Sequence, residues 1–222
     1  MKENIPTSLA PDVGARRHLE HDWYAGGIPA NVRFAEGVYV DTSYGFAAFH
    51  SECAVGLALG DAAGAYDRTT FVVGPAGQIN VGAYTVLNGT YIVCNGRIDI
   101  GAHCLVAWGS VLTDTWADAA ALPVALRREV LRACAADPAR RLPAFAEPRA
   151  VVLEDNVWVG FDAVVLPGVR VGRGSVVGCK TVVAEDVPPY AVVVGSPARV
   201  VRRLDADDTE EERKRAVREY AR

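Results

Sequence analysis

From Leu153 to Val187 the chain repeats itself every six residues, and no other feature limits its possible folds so sharply. Leu153, Val159, Val165, Val171, Val177 and Val183 are all branched aliphatics. Each is followed by Glu154, Gly160, Leu166, Gly172, Gly178 or Ala184, small or acidic in five cases of six. The residue four places on is Val157, Ala163, Val169, Ser175, Thr181 or Val187, always small or β-branched. One large apolar residue and one small residue in each short unit describe short strands joined by tight corners. The apolar side chain points inward, and the small residue lets the backbone turn where a Cβ would clash. Stacked units of this kind form a parallel β-helix.

The phrases around this repeat carry a resemblance. Asn156-Val157-Trp158-Val159-Gly160, Leu166-Pro167-Gly168-Val169, Asp186-Val187-Pro188-Pro189 and Gly195-Ser196-Pro197-Ala198-Arg199-Val200-Val201 resemble the hexapeptide-repeat acyltransferase family. The likeness covers roughly residues 71–203 and is strongest over 151–203. It implies an all-β solenoid, a left-handed parallel β-helix with three flat sides, in which three hexads close one coil. The left hand comes from the resemblance, because ordinary parallel crossovers are right-handed. Upstream, Val81, Leu87 and Val93 hold the period, one extra residue intervenes, and Ile100, Val106 and Leu112 resume it.

Composition sets the outer bounds. At 222 residues, 50% hydrophobic and 23% charged, the chain is long enough for one core without disulfides. A net charge of −4 gives no reason to expect nucleic acid or an anionic membrane as a partner. Five cysteines, an odd number with no CxxC pair, read as reduced thiols of a cytoplasmic protein. The first residues lack an apolar stretch of signal-peptide length, and no apolar run approaches the roughly 20 residues that span a bilayer.

Three parts follow. Residues 1–27 form an N-terminal arm, with a short helix expected around 15–22. Residues 28–203 form the left-handed β-helix domain, irregular at first, where glycines punctuate ragged apolar alternation. The repeat breaks over 113–150, where Leu126, Val130, Leu131 and Cys134 fall at helical spacing, so this segment is a helix-bearing excursion. Residues 204–222 hold a C-terminal helix, opened by the capping box Thr209-x-x-Glu212 and placed to cover the open last coil.

The resemblance implies a homotrimer with active sites in clefts between prisms, acyl-CoA along the coils, and a His on or just before the excursion as general base. Here Leu112 is followed by Thr113-Asp114-Thr115-Trp116-Ala117-Asp118, and no His occurs beyond His103. The nearest acids are Asp114 and Asp118. Asp114 is either a substitute base, as burial can make a carboxylate, or a corner Asp that binds the turn backbone. His50 lies outside any repeat frame and either faces a cleft or packs. Asn88 either donates to the oxyanion or makes a turn, and Trp116 stacks on a substrate or fills the trimer groove. His18 and His21 read as solvated arm residues, and His103 as a structural corner residue.

For the cofactor, Gly160, Ala163, Gly178 and Ala184 supply small side chains that let a pantetheine arm approach the backbone, unless they serve only the coil. Lys180, Arg199, Arg202 and Arg203 supply cations for phosphates. Four scattered histidines argue against a metal. Two readings follow: an acyltransferase using acetyl-CoA or another acyl-CoA on a sugar or other small acceptor, or a non-catalytic trimeric scaffold or binding relative.

Overall fold

In a computed structural model, which describes residues 16–116, 123–136, 147–206 and 209–220, the chain winds into a three-sided left-handed solenoid. The first coil carries β1 (Val32–Phe34), β2 (Tyr39–Val40) and a 3-10 turn, Ser43–Phe46. The second carries β3 (Leu57–Leu59), β4 (Gly64–Tyr66) and β5 (Thr70–Val73), and the third β6 (Gln78–Val81), β7 (Val86–Asn88) and β8 (Tyr91–Cys94). The fourth has β9 (Arg97–Ile100), β10 (Leu105–Val106) and β11 (Val111–Thr113), and the excursion that follows holds α1 (Val124–Ala136). Two regular coils come next: β12 (Val151–Leu153), β13 (Trp158–Val159) and β14 (Val164–Val165), then β15 (Arg170–Val171), β16 (Val176–Val177) and β17 (Val182–Val183). β18 (Ala191–Val194), the antiparallel β19 (Arg199–Arg203) and α2 (Glu210–Tyr220) finish the chain.

These strands stack into three sheets: β1-β3-β6-β9-β12-β15 on the first face, β2-β4-β7-β10-β13-β16-β18-β19 on the second, and β5-β8-β11-β14-β17 on the third. The repeat sets this register residue by residue. Leu153, Val159, Val165, Val171, Val177 and Val183 are each at most 1% exposed and fill the core. Their companions Val157, Ala163, Val169, Ser175, Thr181 and Val187 are buried too. Upstream the period slips once. Ile92 and Cys94 point inward and Val93 does not, because β8 runs four residues with its alternate positions buried.

Hydroxyls line the inside of the corners and tie each coil to the next. Thr69 donates to the Leu87 carbonyl at 3.0 Å, Thr85 to Gly101 at 2.7 Å, Ser110 to Gly160 at 2.8 Å and Ser175 to Pro188 at 2.9 Å. Each bond satisfies a buried polar group that would otherwise be expensive. Thr181, at the last regular corner, is fully buried and its hydroxyl has no partner among the described residues.

The three outer faces differ. The first is polar, with Asn80 donating to Asp99 at 2.7 Å, Arg97 on the same carboxylate and Arg170 on Glu154 at 2.8 Å. On the second, the register row Tyr39, Gly64, Val86, Leu105, Trp158, Val176 and Val192 is apolar. The third carries Tyr91, Val111, Val164 and Val182 in one row.

Two expectations change. No helix occupies residues 16–22. Arg17 instead bridges Ile28 in antiparallel fashion, its guanidinium 4.2 Å above the Phe34 ring. Asp22 accepts hydrogen bonds from Thr42 Oγ1 (2.7 Å), Ser43 N (2.8 Å) and Tyr24 N (3.0 Å), which dock the arm on the first coil. The capping box forms as expected, with Glu212 N donating to Thr209 Oγ1 at 3.3 Å. Yet no residue of α2 is buried, and β19 covers the edge of β18 in its place. Its sequence explains this, because eight of the eleven residues of α2 are charged and it offers no apolar stripe to pack.

Candidate functional site

Asp114 closes the corner from which the excursion leaves, and it is fully buried. Oδ1 accepts the Asn95 N–H at 2.9 Å, and Oδ2 accepts the Gly96 N–H at 2.7 Å. Its own carbonyl accepts the Arg149 N–H at 2.8 Å, which joins the two ends of the excursion. The carboxylate is therefore turned onto backbone amides of the coil below. The Cys94 thiol lies 3.4 Å from Oδ2, and burial, with the Asp114 charge, pushes its pKa well above the usual thiol range.

The other catalytic candidates lie elsewhere. His50 is exposed at the same corner on the first coil, its backbone N–H on the Val73 carbonyl at 2.8 Å. Asn88 ends β7 on the second face, half-buried, in register with Tyr66. Trp116 is exposed where the excursion begins, and Asp118 lies outside the described residues. A single copy of the chain thus leaves His50 three coils away from Asp114 along the same corner and puts Asn88 on another face.

The cofactor candidates divide. Ala184 and Arg199 line one cavity of about 300 Å³, together with Glu185, Asp186 and Pro197. Lys180 is exposed, 3.4 Å from the Asp162 carboxylate. Gly160 and Gly178 sit one above the other. A Cβ on Gly160 would stand 2.8 Å from the Cys179 nitrogen, so coil stacking alone demands glycine there. Ala163 is a correction: its side chain is fully buried in the core and lines no groove. Arg202 and Arg203 are exposed on β19. Among the described residues, no group of three or more His, Cys, Asp or Glu is placed to hold a metal, and no helix is long and apolar enough to cross a membrane.

Two clusters escaped the sequence reading. On the second face, His21 stacks on Tyr39 (5.7 Å, 5°) and Tyr39 on Tyr66 (5.0 Å, 25°), while His21 Nε2 meets the Val40 carbonyl at 3.0 Å. Because a carbonyl only accepts, Nε2 carries the proton. At the corner between the second and third faces, Trp108 Nε1 donates to Asp67 Oδ2 at 2.7 Å and the indole stacks on Phe161 at 5.5 Å. Asp67 and Arg68 both adopt left-handed backbone, φ 50° and 60°. The visible signal was a set of scattered aromatic residues, Tyr39, Tyr66, Trp108 and Phe161, in a chain of small ones. Their adjacency depends on coil lengths that the early sequence does not reveal.

Comparison with known proteins adds the following. Residues 150–185 match the family described as bacterial transferase hexapeptide (six repeats). A 2,3,4,5-tetrahydropyridine-2,6-dicarboxylate N-acetyltransferase of Brevibacillus brevis is 52% identical over 63 residues, 28% of this chain and 26% of that protein. A chloramphenicol acetyltransferase of Klebsiella aerogenes is 39% identical over 67 residues, 30% of this chain and 32% of that one. The matched stretch thus spans about a quarter to a third of these relatives. Among solved structures, a hexapeptide-repeat acetyltransferase of Vibrio cholerae in complex with acetyl-CoA is similar with a TM-score of 0.51 and 27% identity, over 68% of this chain and 72% of that one. A mutant of AntD, an N-acyltransferase of Bacillus cereus in complex with dTDP and coenzyme A, shares the fold, with a TM-score of 0.56 and 15% identity over 84% and 91% of the two chains.

Proposed function

The chain carries the repeats and the fold of the hexapeptide-repeat acyltransferase family, and from that premise we propose that it transfers an acyl group from acyl-CoA to a small acceptor. The observation that carries the reading is the likeness, across most of both chains, to an acetyltransferase in complex with acetyl-CoA. The cofactor lies along the later coils. Arg199 and Lys180 meet its phosphates, and the cavity holding Ala184 and Arg199 receives one end of it. Asn88, its carboxamide on the second face, donates to the oxyanion of the tetrahedral intermediate.

Two apolar faces and one polar face support the homotrimer. Each prism would hide its second and third faces against neighbours and turn Arg97, Asp99 and Arg170 to water. Asp114 serves this reading as the clamp of the excursion neck, through the amides of Asn95 and Gly96. That same clamp favours a second reading, a scaffold without chemistry, since the acid nearest the expected base position is already engaged.

Calorimetric titration with acetyl-CoA separates the two. Micromolar binding, weakened about tenfold or more in Arg199→Ala as a phosphate contact is lost, supports the transferase. No heat at millimolar cofactor overturns it.

A further inference from the structure

The corner between the second and third faces holds a constellation that coil packing does not require. Asp67 follows β4 and Asn88 ends β7, on adjacent rungs about 4.8 Å apart. Trp108 reaches back from the next coil. A Cβ on Gly89, itself at φ +49°, would stand 2.9 Å from the indole Cδ1, so the ring occupies the space of the missing side chain. Phe161 supports it from the coil above, and Nε1–H points at Asp67 Oδ2. One carboxylate oxygen is thus held by a fixed donor, and Oδ1 has no such bond from Trp108.

Asp67 remains exposed. It sits on two consecutive left-handed residues, a backbone state that costs about 1 kcal/mol or more for each non-glycine residue and survives where surrounding contacts impose it. An oriented, exposed carboxylate one rung from Asn88, whose register partner is the neighbouring Tyr66, matches one acceptor chemistry better than others. A carboxylate attracts and orients a protonated amine, whereas it is a weak base toward a hydroxyl at neutral pH.

We infer that Asp67, oriented by Trp108, is the acceptor-binding carboxylate and that the acceptor is a primary amine of sugar size. The inference rests on the acyl-transfer reading and deepens it. The ammonium group pairs with Asp67 and loses one proton through the carboxylate to solvent. Its nitrogen lone pair attacks the thioester carbonyl carbon, forming C–N, while the carbonyl oxygen gathers charge against the Asn88 carboxamide. The C–S bond then breaks with its electron pair on sulfur, and the second amine proton passes to the thiolate. The products are an amide, free coenzyme A and one proton.

The test uses the full chain with saturating acetyl-CoA and two sets of probes: glucosamine and galactosamine, and the matching hexoses. Thiol release reports turnover, and the indole ¹⁵N–¹H resonance of Trp108 reports acceptor binding. Asp67→Asn keeps an oxygen for the indole N–H but removes the charge, so the Trp108 resonance of the free protein should persist. Its turnover of the amino sugars should fall about 10²- to 10⁴-fold, the usual range for such a group. In the parent protein the resonance should shift with amino sugars and not with hexoses. Full turnover in Asp67→Asn, equal turnover of hexoses, or a resonance indifferent to amines overturns the assignment. A response to amines without thiol release would leave the amine site standing and sink the acyl-transfer reading instead. Trp108→Phe, which keeps the stacking on Phe161 and loses the N–H, should raise KM for the amine, whereas a merely structural indole would leave it unchanged.

Discussion

Replacing Asp114 by Asn distinguishes a structural clamp from a catalytic base. In the native corner Oδ1 takes the Asn95 N–H and Oδ2 takes the Gly96 N–H, at 2.9 and 2.7 Å. The carboxamide keeps one acceptor and turns an NH₂ toward the other backbone donor. A hydrogen bond to a charged group contributes about 1.5–3 kcal/mol, and a buried donor left unsatisfied costs about 1–3 kcal/mol. Losing one bond and the charge assistance of the other gives a destabilisation of about 2–4 kcal/mol for Asp114→Asn. Asp114→Ala, which abandons both amides, should lose about 3–6 kcal/mol. For a chain of 222 residues, each kcal/mol lowers Tm by about 2–4 °C, so Asp114→Asn should melt about 4–16 °C early. Scanning calorimetry at one protein concentration reads this, because any association would shift Tm by mass action. Folded Asp114→Asn should keep its thiol release at temperatures well below its melting point. A variant with unchanged Tm and no activity would refute the clamp and restore Asp114 as the base.

Other outcomes follow from the same geometry. Gly101→Ala puts a Cβ 2.6 Å from the Asp155 nitrogen and 2.7 Å from the Glu154 carbonyl carbon, both backbone, and chemical denaturation should show a loss of about 1–3 kcal/mol. Iodoacetamide with peptide mapping should label exposed Cys179 and spare buried Cys94 and Cys104, and rapid labelling of Cys94 in the native protein would contradict its burial. Burial raises the Cys104 pKa to about 11, above its value in the unfolded chain. The stability this thiol contributes is thus intact below the ordinary thiol pKa and lost as pH rises toward about 11, which denaturation at pH 8 and pH 10.5 should show. Burial pushes the Asp22 pKa up, but hydrogen bonds from Ser43, Thr42 and Tyr24 outweigh it and hold the carboxyl well below the usual range. Its contribution is present above the ordinary Asp pKa and fades as pH falls toward the folded value, so proteolysis of the arm should quicken in acid. Thr42→Val should bring that release to higher pH.

The repeat was legible because its period is commensurate with the coil. Register partners Val152 and Arg170 lie 18 positions apart, three hexads, so counting in sixes from Leu153 finds each core residue. Earlier coils are longer: Leu57 pairs with Ile79 and Ile79 with Ile98, separations of 22 and 19. Counting in sixes there lands on Val93, while the core is filled by Ile92 and Cys94. The same irregularity hid the Asp67–Trp108 pair, whose members stand 41 residues apart and meet only once two unequal coils are laid down. The helix in the excursion was visible in its spacing, and it exists as α1 over Val124–Ala136. Its environment was not visible, because no α1 residue is buried.

The neck of the excursion has a consequence for how such a protein can change over time. Ile98 and Val151 are register partners across 53 positions, and the Asp114 carbonyl meets the Arg149 amide where the chain leaves and returns. The prism therefore stacks through this junction as though the intervening segment were an ordinary corner. Closing a flexible loop costs only about 0.6 kcal/mol for each doubling of its length, so the segment can be lengthened, shortened or exchanged with little penalty to the coils. Novelty can accumulate in the excursion while the solenoid that carries it stays put, much as a fitting can be changed without recutting the pipe.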